Sequence, residues 1–146
     1  MSRAWIAVAC AEHVRHGINL GFMQLCHGKP GPLRRLKPGD RVVYYSPTER
    51  FRGTERLQVF TALGLVRDDK IEQPDMGGGF RPFRRAVDWL GGRPAPIRPL
   101  LDEPGFALSG PGWGAKLRYG LLEIDPGSMD LISDHMGIPR ESAVLR

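Results

Sequence analysis

Short apolar stretches separated by glycine- and proline-rich turns are the feature that most constrains the fold of this chain. Glycine and proline, with 19 and 13 copies, supply about a fifth of the 146 residues. In Lys37-Pro38-Gly39-Asp40, proline comes directly before glycine, the order that a type II turn prefers. This turn leads into Arg41–Ser46, whose β-branched and aromatic residues predict a strand. Such frequent chain reversals disfavour a helical bundle and favour a fold of short strands.

Six segments have the pattern of strands, and two have the pattern of helices. The predicted strands are Trp5–Cys10, Phe22–Cys26, Arg41–Ser46, Leu57–Val66, Arg81–Leu90 and Leu117–Ile124, with room for a short strand at Lys70–Gln73. The predicted helices are Ala11–Asn19 and a helix that Asp125 and Pro126 begin and Gly137 ends, with single helical turns at Leu33–Leu36 and Ile97–Leu101. The pattern therefore predicts an α+β, barrel-like fold of five to seven strands with two or three short helices.

The length fits one domain of ordinary size. No repeat, low-complexity stretch or linker divides the chain, so we expect a single domain over residues 1–146. Its core is predicted to span about residues 4–137, and residues 138–146 are predicted as a tail.

The positive charge is confined to the first half of the chain. Residues 1–73 contain 12 Lys and Arg against 7 Asp and Glu, whereas residues 74–146 contain 9 of each. A basic half is typical of a protein that binds a polyanion such as nucleic acid, and it is also compatible with a charge that only keeps the protein soluble.

The sequence lacks the patterns that mark disulfide-rich, metal-binding, cofactor-binding and membrane proteins. Two cysteines, Cys10 and Cys26, without a CxxC or CxxH pattern predict neither a disulfide framework nor a zinc site. His13 and His16 share a helix face without acidic partners, so we expect them to be exposed and bind no metal. No phosphate-binding loop or other cofactor motif is present, and we expect no cofactor. With no signal segment and no apolar run long enough for a membrane span, we expect a cytoplasmic protein that makes no membrane contact.

The richest candidate for a site is the stretch from Gly21 to Lys29. It contains Phe22, Met23, Gln24, Cys26, His27 and Lys29. Glycines let a backbone approach a ligand closely, and an amide such as Gln24 offers both a donor and an acceptor to the edge of a base. Cys26 and His27 also raise the alternative of a nucleophile with its base, although neighbours on an extended chain point to opposite faces.

Two further segments contain candidate ligand-binding residues. The segment Tyr44-Tyr45-Ser46-Pro47 lies at the end of a predicted strand, where only one of the tyrosines faces inward and the Ser46 hydroxyl is placed to bond a ligand; core packing is the alternative. Trp113 lies in the predicted loop Gly105–Gly114, either as a wall on which a base stacks or as a plug for one end of a barrel. Arg118, expected in the last strand, offers a guanidinium fork for a phosphate or a base edge.

Several of these segments together resemble one family. Trp-Ile-Ala-Val-Ala at 5–9, Gly-Phe-Met-Gln-Leu-Cys-His-Gly-Lys at 21–29 and Leu-Arg-Arg-Leu-Lys-Pro-Gly-Asp-Arg-Val-Val-Tyr-Tyr-Ser-Pro at 33–47 resemble the bacterial EVE-domain proteins. So do Leu-Gln-Val-Phe-Thr-Ala-Leu-Gly at 57–64 and Tyr-Gly-Leu-Leu-Glu-Ile before the last helix. The resemblance implies a PUA-like mixed pseudobarrel of the kind that YTH and ASCH domains share.

The resemblance also implies a nucleic-acid-binding module that reads a modified or flipped-out base, in DNA or RNA. The expected base pocket contains Phe22, Met23, Gln24, Cys26, His27, Tyr45, Ser46, Pro47, Trp113 and Arg118. The expected phosphate contacts are Lys29, Arg34, Arg35, Arg50 and Arg52, which would give affinity without sequence information. The alternative is a hydrolase on the same scaffold, acting on a nucleoside or a small amide through Cys26 and His27. The sequence makes no prediction of the oligomeric state.

Overall fold

A computed structural model describes residues 2–24, 29–74, 77–79 and 82–139. The strands are β1 (Ala4–Val8), β2 (Phe22–Met23), β3 (Arg41–Ser46), β4 (Val59–Glu72), β5 (Arg84–Trp89), β6 (Ala95–Pro96) and β7 (Leu121–Ile124). The helices are α1 (Ala11–Leu20), α2 (Pro30–Leu33), α3 (Ile97–Leu101), α4 (Trp113–Lys116) and α5 (Pro126–His135).

The seven strands form one mixed sheet in the order β2-β5-β4-β3-β1-β7, and β6 pairs with the start of β4. Strands β1 and β3 are parallel, and the other pairs are antiparallel. The α+β fold expected from the sequence is confirmed. Only α1 and α5 are longer than five residues; α2, α3 and α4 are helices of four or five residues.

Several element boundaries differ from the sequence expectation, among them the following three. Trp113 begins the short helix α4 and does not lie in a loop. β7 begins at Leu121, because Arg118 and Gly120 donate turn hydrogen bonds to Ala115 and Leu117, and the chain therefore turns through Arg118 before the strand. β4 continues through Gly64 to Glu72 and includes the segment around Lys70 that was expected as a turn or a separate short strand.

The sheet has a hydrophobic core on each face. On the side that we call the α1 face, Trp5, Val42 and Tyr44 pack with residues of α1 and of the segment Leu33–Leu36. On the side that we call the α5 face, Ile6, Val43 and Tyr45 pack with α3 and α5. Neighbouring strand residues thus point to opposite faces, as the pleat requires.

The last helix begins and ends where the sequence predicts. The Asp125 carboxylate accepts hydrogen bonds from the Ser128 backbone N–H at 2.9 Å and from the Ser128 hydroxyl at 2.7 Å. These bonds hold the pKa of Asp125 below its ordinary value. Asp125 is therefore the N-cap, and Pro126 is the first residue of α5.

A buried carboxylate joins β1 to the turn before β3. Asp40, which is 2% exposed, accepts hydrogen bonds at 2.9 Å from the Arg3 N–H, the Trp5 indole N–H and the Lys37 N–H. The Asp40 carbonyl also accepts from the Val66 N–H at 2.9 Å. The carboxylate therefore bonds N–H groups of two chain segments, the start of β1 and the turn before β3, and the Asp40 carbonyl adds a third bond partner in β4.

Asp40→Asn should lower the free energy of unfolding by about 3 kcal/mol, because the amide nitrogen cannot accept a hydrogen bond and leaves a buried N–H without a partner. Denaturant unfolding measures this change. The control is Asp130→Asn, which removes a half-exposed partner of Arg41 (2.6 Å) and should cost no more than about 1 kcal/mol. Equal losses for the two variants would contradict the role assigned to Asp40.

Candidate functional site

The Tyr44 side chain holds the chain where it leaves β2. Its hydroxyl accepts a hydrogen bond from the Gln24 backbone N–H at 3.1 Å and donates one to the Gln24 carbonyl at 3.0 Å. Tyr44 is buried, and this burial raises its phenol pKa far above the ordinary value. The hydroxyl therefore stays protonated and fixes Gln24 against the α1 face.

Trp89 stacks on Tyr44 on the same face. The ring centroids are 5.4 Å apart, and the ring planes differ by 20°. Gly64 makes room for this packing, because a Cβ at that position would lie 3.0 Å from Trp89 Cε3 and 2.6 Å from Val87 Cγ1. The site therefore has a flat aromatic pair at its centre.

The indole nitrogen of Trp89 has no partner. Its Nε1 atom is buried and makes no hydrogen bond to any residue in the described ranges. A buried donor left unpaired costs about 1–3 kcal/mol. A ligand acceptor that displaced the atoms covering this N–H would recover that free energy.

His13 contacts the Tyr44 ring edge-on, with centroids 6.4 Å apart. Its imidazole is half-buried, contrary to the exposed position expected from the sequence. Burial, and to a lesser extent the nearby His16, lowers the pKa of His13 below its ordinary 6.5. Tyr44, Trp89 and His13 are therefore all uncharged at neutral pH, which suits a neutral planar ligand better than a phosphate.

An open groove of about 450 Å³ borders Trp89. Its lining comes from the end of α1 and from strands β4 and β5: Ile18, Asn19, Leu20, Gly21, Arg67, Val87, Asp88 and Trp89. Arg67 and Asp88 pair across its rim, with Nε and Oδ1 2.8 Å apart. The groove therefore has a mixed, mainly polar lining that includes this ion pair, and we call it the Trp89 groove.

A basic segment follows the site along the chain. Lys29, Arg34 and Arg35 are exposed, whereas Leu33 and Leu36 between them are buried. None of the three cations has a carboxylate within salt-bridge distance in the described part of the chain. Their charges are therefore available to a polyanion.

Arg85 anchors this basic segment to β5. It is 2% exposed and donates hydrogen bonds at 2.9 Å to the carbonyls of Leu33 and Leu36, and a third to the Asp68 carbonyl. Buried charges are normally paired or hydrogen-bonded, and Arg85 satisfies this rule with backbone acceptors. The anchor turns Leu33 and Leu36 inward and leaves the neighbouring arginines outside.

Two other predicted phosphate contacts lie on the loop after β3. Arg50 is 3.9 Å from the Glu12 carboxylate, and the Arg52 guanidinium lies 5.2 Å from the Phe51 ring centroid. The carbonyls of Thr48 and Glu49 accept from the first N–H groups of α1. The loop therefore supplies hydrogen-bond acceptors to the first N–H groups of α1, and the Glu12 carboxylate partly neutralises the charge of Arg50.

The structure separates the expected base-pocket residues. Tyr45 and Trp113 lie on the α5 face, with ring centroids 6.2 Å apart, whereas Gln24 lies with Tyr44 on the α1 face. One small pocket cannot contain both groups, because the sheet lies between them. Arg118 is exposed in the turn before β7, Pro47 is half-buried, and its carbonyl accepts from Leu57.

Three of the expected wall residues have other roles. Met23 is 1% exposed in the core of the α1 face. The Phe22 ring is covered by the Arg84 guanidinium, whose carbon lies 3.7 Å from the ring centroid. Ser46 is fully buried and shares a 2.9 Å hydrogen bond with Thr61, the extra residue where the register of β3 and β4 shifts. Met23 and Ser46 are too deeply buried to contact a ligand directly, and Arg84 covers one face of the Phe22 ring.

Cys26 and His27 lie outside the described residues, so their proposed roles stay predictions. Cys26→Ser separates the alternatives: a hydrolase that depends on the thiol would lose turnover, whereas a binding module would keep its affinity. In the described ranges, no group of three His, Cys, Asp or Glu side chains is arranged to hold a metal ion. Nor does any helix there have the length and apolar character needed to cross a bilayer.

The sequence offered Tyr44 and Tyr45 together as candidates, with Tyr45 assigned to the expected pocket, and it did not indicate Trp89 as a candidate. Trp89 lies in the predicted strand Arg81–Leu90, and a strand position alone does not predict an unpaired indole N–H. The choice of Tyr45 over Tyr44 had no support in the sequence, because alternation shows that the two point apart without showing which of them meets Gln24.

Stability should fall as the pH drops below about 6.5, and His13→Gln should remove part of that loss. The folded state lowers the pKa of His13, so the unfolded chain binds the proton more readily and acid favours unfolding. Thermal unfolding between pH 7.5 and pH 5 measures the slope for both proteins. An identical slope in wild type and variant would contradict the buried, neutral state of His13.

Comparison with known proteins identifies close sequence relatives. The sequence model of the EVE domain matches residues 3–135. A UPF0310 protein of Mesorhizobium japonicum is 53% identical over 98% of this chain and 97% of its own length. A UPF0310 protein of Mycolicibacterium vanbaalenii is 41% identical over 92% of this chain and 93% of its own length.

Solved structures share the fold at low sequence identity. Protein Atu2648 from Agrobacterium tumefaciens superposes with a TM-score of 0.64 at 9% identity, over 99% of this chain and 100% of that one. The YTH domain of the Zygosaccharomyces rouxii MRB1 protein, solved in complex with N6-methyladenosine RNA, gives a TM-score of 0.61 at 16% identity over 91% and 85%. These likenesses establish the PUA-like fold.

Proposed function

The chain belongs to the EVE domain family, and from this premise we propose that it is a nucleic-acid-binding module that receives one unstacked base on the α1 face of its sheet. The observation that carries the proposal is the Trp89 indole, stacked on Tyr44 with a buried and unpaired N–H. The fold adds support, because a YTH domain with the same fold was solved in complex with N6-methyladenosine RNA.

The chemistry of the Trp89 groove fits a base. Taking a base out of its stack costs a few kcal/mol, and stacking on an aromatic side chain returns about 1–3 kcal/mol. A ring nitrogen or carbonyl of the base would accept the free Trp89 N–H, and Asn19 in the groove offers both a donor and an acceptor. Gln24, a residue of the expected pocket, is held on this face by Tyr44.

We propose that the base is a modified one. Ile18 and Leu20 are the exposed apolar side chains of the groove, and a methyl group that they covered would contribute about 0.8 kcal/mol. The neutral His13 and Tyr44 nearby add no charge that would favour an ionised group. An unmodified base would keep the stacking and the hydrogen bonds and lose only the methyl contribution.

Phosphates would bind outside the groove. Lys29, Arg34 and Arg35 follow Gln24 along the chain, are exposed and have no described carboxylate partner. Arg50 and Arg52 lie on the loop that packs against the start of α1 and would add weaker contacts. Such contacts position the strand and make the affinity depend steeply on salt.

Trp89→Phe should weaken binding of the preferred nucleoside about five- to tenfold, because phenylalanine keeps a ring but cannot donate a hydrogen bond. A thermal-shift screen of modified nucleosides selects the ligand, since a tight ligand raises the melting temperature. Calorimetry then measures its affinity. The stability of the free protein should change by less than about 1 kcal/mol, because the substitution also removes an unpaired donor.

The matched control is Trp113→Phe, the same substitution on the α5 face, which should leave nucleoside affinity unchanged. A Trp89→Phe protein that bound every nucleoside as tightly as wild type would contradict the proposal. So would a loss of affinity of equal size in the Trp113 variant.

A further inference from the structure

An exposed aromatic side chain lies between two arginines on the loop that joins β3 to β4. The sequence there is Arg50-Phe51-Arg52, and Phe51 is 63% exposed. The Arg52 guanidinium carbon lies 5.2 Å from the centre of the Phe51 ring. A single exposed apolar side chain is common on a protein surface, so the charges and the backbone around Phe51 decide what this ring is suited to bind.

The cations of this loop are left unpaired, whereas its carboxylates are engaged. Arg52 and Arg56 are exposed, and neither makes a salt bridge to a residue in the described ranges. Glu49 pairs with Arg15 of α1. Glu55 accepts hydrogen bonds from two backbone N–H groups of the loop, at 3.2 and 3.4 Å. The ring is therefore surrounded by positive charge that is available to an anion.

Hydrogen bonds fix the backbone on both sides of Phe51. The Arg50 carbonyl accepts from the Thr48 hydroxyl at 2.7 Å and from the Gly53 N–H at 2.9 Å. A Cβ at Gly53 would lie 2.6 Å from Glu55 Oε1 and 3.0 Å from the Arg50 carbonyl oxygen, so the turn closes tightly. A ligand that binds this loop therefore does not have to order it first, which lowers the cost of binding.

The backbone of Arg52 is strained. Its φ is +59°, in the left-handed region that residues other than glycine and asparagine rarely adopt. Gln58 also has a positive φ, but its carbonyl accepts from the Ile97 N–H and its side chain accepts from Arg98. The Arg52 guanidinium contacts the Phe51 ring and has no carboxylate partner in the described part of the chain. Strain at an exposed arginine without such contacts points to a binding role.

We propose that Arg50, Phe51, Arg52 and Arg56, which we call the Phe51 tip, bind one nucleotide of a single-stranded nucleic acid. Phe51 stacks on the base, and the arginines bind the phosphates on either side of it. Stacking tolerates any base, because every base has a flat face, so this contact requires no modification. The inference rests on the proposed function for the class of ligand and is independent of the Trp89 groove.

The Phe51 tip and the Trp89 groove lie at opposite ends of α1. The carbonyls of Thr48 and Glu49, just before the tip, accept from the first N–H groups of α1. The groove is lined by residues 18–21, where α1 ends. A helix of ten residues is about 15 Å long, so an isolated nucleoside in the groove does not reach the tip. The two sites can therefore be measured separately.

The test uses two probes, a fluorescein-labelled nine-nucleotide oligouridine RNA and the free N6-methyladenosine nucleoside. Phe51→Leu should weaken oligouridine binding about tenfold in an anisotropy titration, because leucine is apolar but cannot stack on a base. It should leave nucleoside binding unchanged, as measured by calorimetry.

Arg52→Asn separates a binding role from a structural one. Removal of one phosphate contact should lower the slope of log affinity against log salt by about 0.7 for a single strand. The melting temperature of the free protein should not fall, because asparagine adopts a positive φ more readily than arginine does. An arginine that only stabilised the loop would give the opposite pair of results.

The matched controls are Tyr119→Leu, which changes an aromatic residue that is 81% exposed beside Arg118, and Arg93→Gln, which changes an exposed arginine outside the loop. Both should leave the affinity and the salt slope for oligouridine unchanged. An oligouridine affinity that Phe51→Leu did not lower, or that Tyr119→Leu lowered equally, would overturn the inference. If wild type binds the nucleoside but not oligouridine, the inference fails and the proposed function stands. If it binds neither probe, the proposed function for this base fails as well.

Discussion

The hydrogen bonds of Asp40 are the constraint on which the arrangement of this molecule depends. Parallel strands cannot be joined by a tight turn, so β1 and β3 need another connection across the long segment between them. Asp40 provides it, because one buried carboxylate accepts from the residue before β1, from the Trp5 indole within β1 and from the turn before β3. Removing those N–H groups from water would be costly without this acceptor.

Asp40 helps to set the register of β1 against β3, and this register determines where the aromatic residues of the candidate site lie. Ala4 pairs with Arg41 and Val8 pairs with Tyr45, so the C-terminal ends of β1 and β3 lie side by side at one end of the sheet. Near this end of β3, the side chains of Tyr44 and Tyr45 point to opposite faces of the sheet. Tyr44 meets Gln24, His13 and Trp89, and Tyr45 meets Phe60 and Trp113. Two aromatic sites therefore arise from one pair of adjacent residues.

The fold was largely predictable from local patterns. Arg41–Ser46 was predicted with its observed bounds, and the Asp125 cap follows from an Asp-Pro step at a helix start. The resemblance to EVE domains identified the superfamily. Errors arose where several interactions compete over a few residues, as in the turn that contains Arg118 and the short helix that begins at Trp113.

The site was less predictable, because its properties depend on contacts between distant residues. Sequence alternation shows that Tyr44 and Tyr45 face apart, but only the packing of β5 on β4 brings Trp89 onto Tyr44. Arg85 was not recognised as buried, because its acceptors are carbonyls more than 15 residues away, which leave no mark in the sequence. Gln24 lies on the face of the proposed site, and the exposed Lys29, Arg34 and Arg35 follow it along the chain. All four came from the segment that carries the family resemblance.

The indole N–H resonances of the three tryptophans test the central claim most directly. In a titration of the isotope-labelled protein with N6-methyladenosine nucleoside, the account predicts a large shift of the Trp89 resonance as its unpaired N–H gains an acceptor. The Trp5 resonance should stay in place, because its N–H is already bonded to the buried Asp40 carboxylate. A saturating nucleoside that left the Trp89 resonance unmoved would contradict the account.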